Sequence, residues 1–254
     1  MIKFFRKIRQ NMLMENKTGT YFKYAIGEIV LVVIGILIAV QINNWNMARL
    51  DSQEEKNILL NLKQDFHFNY TFLDSLMSSQ KALKPIHFSI LNHTGNKPKD
   101  MPEKQFDIAL NAVFRSGDFY PKTGALDDLI NSGKLGILKS AKLRSNLSSW
   151  NPVLRNLKFR EENLSITQKE LNVLIIKKAS WLNIDLVSSS TATKTNAFPI
   201  SGFDIDNRNL LNELEFENII ENIVYENLAV IFEQKNTLEL ISEISKLIEI
   251  ELNK

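Results

Sequence analysis

The stretch "AIGEIVLVVIGILIAVQINNW", residues 25–45, constrains this chain more than any other. From Ile29 to Val40 no side chain is polar. As a helix rising 1.5 Å per residue, residues 24–45 would be ~33 Å long, about the thickness of a bilayer's hydrocarbon layer. Tyr21, Phe22 and Tyr24 stand at one end and Trp45 at the other, in the positions of an aromatic belt. Three identities compete: a core helix, a cleaved signal and a retained anchor. A signal peptide needs small residues in an A-x-A-like pattern just past its apolar stretch. Here Ala39-Val40-Gln41-Ile42-Asn43 places a bulky polar Gln in that zone, and the basic segment in front is long for a signal. The sequence therefore predicts an uncleaved transmembrane helix over 24–45.

Charge sets the expected orientation. Lys3, Arg6, Lys7, Arg9, Lys17 and Lys23 precede the apolar run against Glu15 alone, whereas the whole chain is only +2. Cytoplasmic flanks carry the excess of Lys and Arg. Residues 1–23 are thus expected to be a basic cytoplasmic segment, with residues 46–254 on the opposite side. Beyond the span, Arg49, Lys56 and Lys63 are mixed with Asp51, Glu54, Glu55 and Asp65, so no rival basic cluster argues for the reverse. A net charge near zero gives no nucleic-acid signature, and the first partner expected is the lipid bilayer.

A carboxylate inside an apolar span is a functional candidate by default, because a mid-membrane charge costs several kcal/mol. Glu28 has a plainer reading too: one turn inside Tyr24 it stays near the headgroups and hydrated. At 100° per residue, Gly35, Ala39 and Asn46 fall on the same stripe as Glu28, while Gln41 points away. Gly35 and Ala39 form a small-xxx-small pair that lets two membrane helices approach closely. Glu28, Gly35 and Ala39 are therefore the candidate contact residues of the span.

Past the span, Leu59, Leu62, Phe66, Asn69, Leu73, Leu76, Gln80 and Leu83 alternate in steps of three and four. That is a heptad seam, which serves either a coiled coil between chains or one face of an intramolecular bundle. Pro85 is expected to bend or end this helix, and residues 93–102 read as a loop. A short helix is predicted over 103–115. Thr123 is placed to cap a helix running to Ser132, with Gly133 as its stop. Ser140 is placed to cap a long helix to about Ile184, kinked at Pro152. Residues 187–204 form a Ser/Thr-rich loop. From Asn207 to Asn253 there is neither Pro nor Gly, and Phe216, Ile219, Ile223, Leu238, Ile241, Ile244 and Ile248 recur with helical spacing. Strand-like alternation is nowhere sustained. The expected fold is all-α: one N-terminal transmembrane helix followed by a bundle of long amphipathic helices.

Two stretches carry a likeness. The first is "YAIGEIVLVVIGILIAVQINNWN" behind its basic start, through Glu28, Gly35, Gln41, Asn44 and Trp45. The second is "LINSGKLGILKSAKLRSNLSSW", through Ser132, Gly133, Leu135, Leu143, Arg144, Leu147 and Trp150. In these the chain resembles a family of uncharacterised single-pass membrane proteins of flavobacteria and their relatives. The resemblance implies an inner-membrane anchor with a helical periplasmic part. It implies no activity, cofactor or catalytic residue.

The search for chemistry returns little. There is no cysteine, which removes disulfides, thiolate nucleophiles and Cys-based zinc sites. His67, His87 and His93 lack metal-ligand spacing, no glycine loop cradles phosphate, and no serine sits in a nucleophile elbow. "DIDNRNLLNELE" puts Asp204, Asp206 and Glu215 at calcium-loop positions, but Arg208 and Asn209 spoil the ligand and turn positions, so helix capping by Asp204 or Asp206 reads better. Arg144 is expected to clamp Asp127 or Asp128, or else a ligand with Trp150 stacking beside it. Three functional readings follow. The first is a bundle that binds other membrane proteins or copies of itself, through Glu28, Gly35, Ala39 and the seam Leu59, Leu62, Phe66, Asn69, Leu73, Leu76. The second is a periplasmic bundle sensing a small molecule at Arg144 and Trp150 and signalling through a membrane partner. An enzyme comes third, and no cofactor or metal is expected.

Overall fold

The computed structural model describes residues 18–188 and 198–254. The basic start through Lys17, residues 189–197 of the Ser/Thr-rich loop and the side chains of Thr18, Thr20, Tyr21 and Tyr24 lie outside the described residues. The chain is all-α, and among the described residues there is no strand. Helix α1 covers Thr18–Leu91. The chain divides into two units between Asn57 and Ile58. The first unit holds the long apolar part of α1 and the second holds a helical bundle.

In the second unit α1 is followed by α2 (Glu103–Ala112), α3 (Gly124–Asn131), a 3-10 turn (Lys134–Ile137), α4 (Ala141–Lys178), α5 (Trp181–Leu186), a second 3-10 turn (Asn207–Asn212) and α6 (Leu214–Leu252). Three long segments form the core: residues 58–91 of α1, α4 and α6. Their register is fixed by side-chain pairs. Lys63 meets Glu249 at 2.6 Å, Gln234 donates to Gln80 at 2.9 Å and Thr94 donates to Glu217, so α6 runs antiparallel to α1. Asn146–Glu243 (3.2 Å), Arg160–Glu226 (3.9 Å) and Lys178–Glu213 (2.9 Å) make α6 antiparallel to α4 as well. Phe66 packs edge-on against Trp150 with ring centroids 5.0 Å apart, at matching levels of α1 and α4. Two parallel neighbours need a crossover, and α2, α3 and the first 3-10 turn supply it.

Several boundaries differ from those read in the sequence. Pro85 does not end α1, which continues to Leu91. Proline deletes one backbone hydrogen bond and costs about 3 kcal/mol in a helix interior. His87 and Ile90, two and five residues later, are buried, and their packing outweighs that loss. The long helix expected to reach Ile184 stops at Lys178. Asn207 reaches across from the second 3-10 turn to accept the Ser180 N–H at 2.7 Å, and the Ser180 hydroxyl accepts from Asn183 N–H to cap α5. The helix expected over 103–115 ends at Ala112, and the chain from 113 to 123 runs without regular structure. The start of α3 is capped from a distance: its Ala125 N–H donates to Asp65 of α1, while Thr123, the expected cap, donates its hydroxyl to Asp127. Gly133 takes the left-handed conformation (φ 71°) that ends α3.

Candidate functional site

In the first unit every side chain from Ile29 to Val40 is exposed, as are Ile42 and Trp45. Ten of those between Ile29 and Val40 are Val, Leu or Ile. At roughly 1.5–3 kcal/mol for each large aliphatic side chain kept out of water, this surface is worth on the order of 15–30 kcal/mol. The segment is long and apolar enough to cross a membrane. Glu28 is half-exposed, and Gly35 and Ala39 are exposed on its stripe. A methyl group added at Gly35 would meet nothing within 4 Å. The stripe is therefore open to a neighbouring helix.

The seam is placed differently. Leu59, Leu62, Phe66, Asn69 and Leu73 are buried, and Leu76 packs against the same core. Phe66 packs on Trp150 of α4, and Asn69 bonds the backbone of Lys122, all within the chain. Of the two uses the spacing left open, this one is intramolecular. Leu59, Leu62, Phe66, Asn69, Leu73 and Leu76 are thus taken up inside their own bundle.

Arg144 and Trp150 do not form a ligand pair. Arg144 donates to the backbone carbonyls of Leu138 and of Lys139 (3.2 Å), fastening the 3-10 corner to α4. Neither Asp127 nor Asp128 pairs with it. The expected clamp overlooked carbonyl oxygens left over at the end of the corner, which a guanidinium satisfies well. Trp150 is sealed in the core against Phe66, with its indole N–H unpartnered. A ligand could not stack on it without opening the bundle.

The most developed polar geometry is one the sequence reading missed. Residues 113–123 form a strap that joins α1 and α4 through side chains that bind its backbone. Gln168 donates to the Val113 carbonyl at 2.7 Å and accepts from the Ser116 hydroxyl at 3.0 Å. Glu161, seven residues earlier on α4, accepts the Phe119 N–H at 2.9 Å. Asn69 of α1 accepts from Lys122 N–H at 2.7 Å and donates to Lys122 C=O at 2.8 Å, as a strand neighbour would. Glu161 is buried, and burial pushes its carboxyl up to about 7. The Phe119 N–H and Lys158 (3.8 Å away) pull the other way, and Lys158 itself is held by Asp118 at 2.9 Å. A second polar joint closes the far end of the bundle. Asn207 donates to Asp107 at 2.7 Å and to the Ser180 carbonyl at 3.2 Å, and burial raises the Asp107 carboxyl despite that bond. Only the strap left a trace in the sequence. Leu157, Glu161, Leu164, Gln168 and Leu171 step by four and three, so two polar residues interrupt an apolar stripe.

A family of unknown function (DUF6090) matches residues 28–228. The chain belongs to this family. The DUF6090 match takes in the apolar run from Ile29 to Val40, the strap, both polar joints and the first part of α6. No curated protein and no solved structure matches the chain.

Proposed function

We propose that this DUF6090 member is a single-pass protein of the inner membrane, with its N-terminus in the cytoplasm and residues 46–254 in the periplasm. Its bundle acts by binding other membrane proteins or a second copy of itself. The observation that carries the reading is the uncovered apolar surface from Ile29 to Val40, which only lipid or a partner can cover. The basic residues ahead of it support the orientation. The family match supports retention, because it includes this run together with the bundle. Likeness to single-pass proteins of flavobacteria gives the same placement.

Binding is preferred over small-molecule sensing on the geometry of the bundle. Trp150 is sealed and Arg144 is engaged with carbonyls. A surface depression of about 620 Å³ is an open groove lined by Glu170, Val173, Leu214, Glu215, Asn218, Ile219 and Asn222. An open groove cannot bury most of a small molecule as ligand sites do. Catalysis is not proposed. The reading is tested by cross-linking intact cells that express the tagged full-length chain and sizing the products from washed membranes. Discrete products above the monomer mass are expected; monomer alone at every cross-linker length removes the interaction reading.

A further inference from the structure

We infer that the outer face shared by α4 and α6 is the surface through which two copies of this chain pair, an inference that rests on the self-association reading above. On α4, Phe159, Ile166 and Val173 recur every seventh residue and are all exposed. On α6, Leu214, Tyr225 and Phe232 are exposed on the corresponding outward stripe. Val173 and Leu214, one from each stripe, line the same groove, and the Arg160–Glu226 pair crosses between the helices next in sequence to Phe159 and Tyr225. Exposure is high for large side chains: 71% for Leu214, 60% for Phe232, 59% for Tyr225 and 56% for Phe159. The apolar side chains of α4 alternate with exposed Glu162, Lys169 and Glu170, an amphipathic face of the kind used in protein interfaces.

Area and charge both point to a second copy as the occupant. At on the order of 150–250 Å² for a large apolar side chain, the six residues offer roughly 600 Å² of uncovered surface. That is most of the ~800 Å² per partner that a stable interface covers. A two-fold pairing is self-complementary, so whatever α4 presents must suit α6 of the partner. The three cross-links between α4 and α6 fix which levels coincide. With a two-fold along the bundle's long axis, α4 of one copy lies against α6 of the other at those same levels. Phe159 then faces Phe232, Ile166 faces Tyr225 and Val173 faces Leu214. The flanking charges match as well. Exposed Glu215 and Glu221 make this part of α6 acidic, while Lys169 and Lys177 are exposed at the same levels of α4, with Glu162 and Glu170 beside them. An anionic lipid surface would be repelled by those four carboxylates, which argues for protein over bilayer as the occupant.

The test uses the full-length chain in lipid bilayers at low protein density, with the dimer fraction counted by single-molecule photobleaching. A dimer is expected. Phe159→Glu combined with Phe232→Glu should weaken it on the order of tenfold or more, with helical content by circular dichroism unchanged because both side chains are exposed. Lys169→Glu and Glu221→Lys should each weaken the dimer, and the two changes in one chain should restore it, which a misfolded variant could not do. Gly35→Leu, in the membrane helix, should leave it intact. A dimer that survives both the apolar double variant and the charge reversals overturns this inference while self-association stands. A chain that is monomeric in bilayers overturns both.

Discussion

Replacing Glu161 by Gln should change the pH dependence of stability more than its magnitude at any single pH. The carboxyl is buried beneath the 113–123 strap, and its value in the fold is about 7 against an ordinary 4.5. Burial is the largest cause, and the Phe119 N–H and Lys158 offset only part of it. A raised value means that the folded state holds the proton more tightly than the unfolded chain does. The resulting stability is fully present below about 4.5 and is lost as pH rises through about 7. At 1.36 kcal/mol per pH unit, the loss is about 3 kcal/mol over that window. Gln keeps an oxygen for the Phe119 N–H and removes the titration. Thermal unfolding of the detergent-solubilised full chain, followed by circular dichroism from pH 4 to 8.5, measures it. The advantage of Glu161→Gln over wild type should grow by about 3 kcal/mol from the acid to the alkaline end, on the order of 6–12 °C in Tm for a domain this size. A difference between the two chains that stays flat across the range would refute the burial argument.

Three further outcomes follow from the core. His87 is buried with its Nε2 unpartnered, and burial lowers its value from 6.5 to about 4, so the stability it contributes is present above 6.5 and lost as pH falls through 4. His87→Leu should remove about 3 kcal/mol of acid sensitivity in that window, seen in the same unfolding series; the opposite slope from Glu161 hides it in the wild-type curve between 4.5 and 6.5. Trp150→Ala should cost about 3–5 kcal/mol by opening a cavity beside Phe66, while Trp150→Phe should cost clearly less, because the indole N–H has no partner to lose. Asn207→Ala leaves the Ser180 N–H and the Asp107 carboxyl unpaired in the interior and should cost on the order of 2–4 kcal/mol, read as a lower urea midpoint.

The helices were legible because their signals are local. Gly133 after Asn131, Ser140 before Ala141 and the three–four spacing through Phe216, Ile219 and Ile223 each report on a turn or two of chain. The failures came where a distant residue decides. Nothing near Lys178 announces the end of α4, since the break is made by Asn207, and nothing near Gly124 shows that Asp65 caps α3. Pro85 misled for the same reason: the burial of His87 and Ile90 by other helices overrides a local breaker. The seam from Leu59 to Leu76 was read correctly as apolar, but its spacing could not say whose helix would cover it. The strap was missed because Asn69, Glu161 and Gln168 look like defects in apolar stripes until the backbone they bind is in view.

The central claim is that residues 24–45 are a permanent membrane span, and labelling of a single introduced cysteine tests it most directly. The chain has none of its own. Lys246→Cys, exposed on α6, should react with a membrane-impermeant maleimide in intact spheroplasts, and the labelled, uncleaved chain should stay in the pellet after carbonate washing. Labelling only after lysis, or release of the labelled chain by carbonate, would contradict the account.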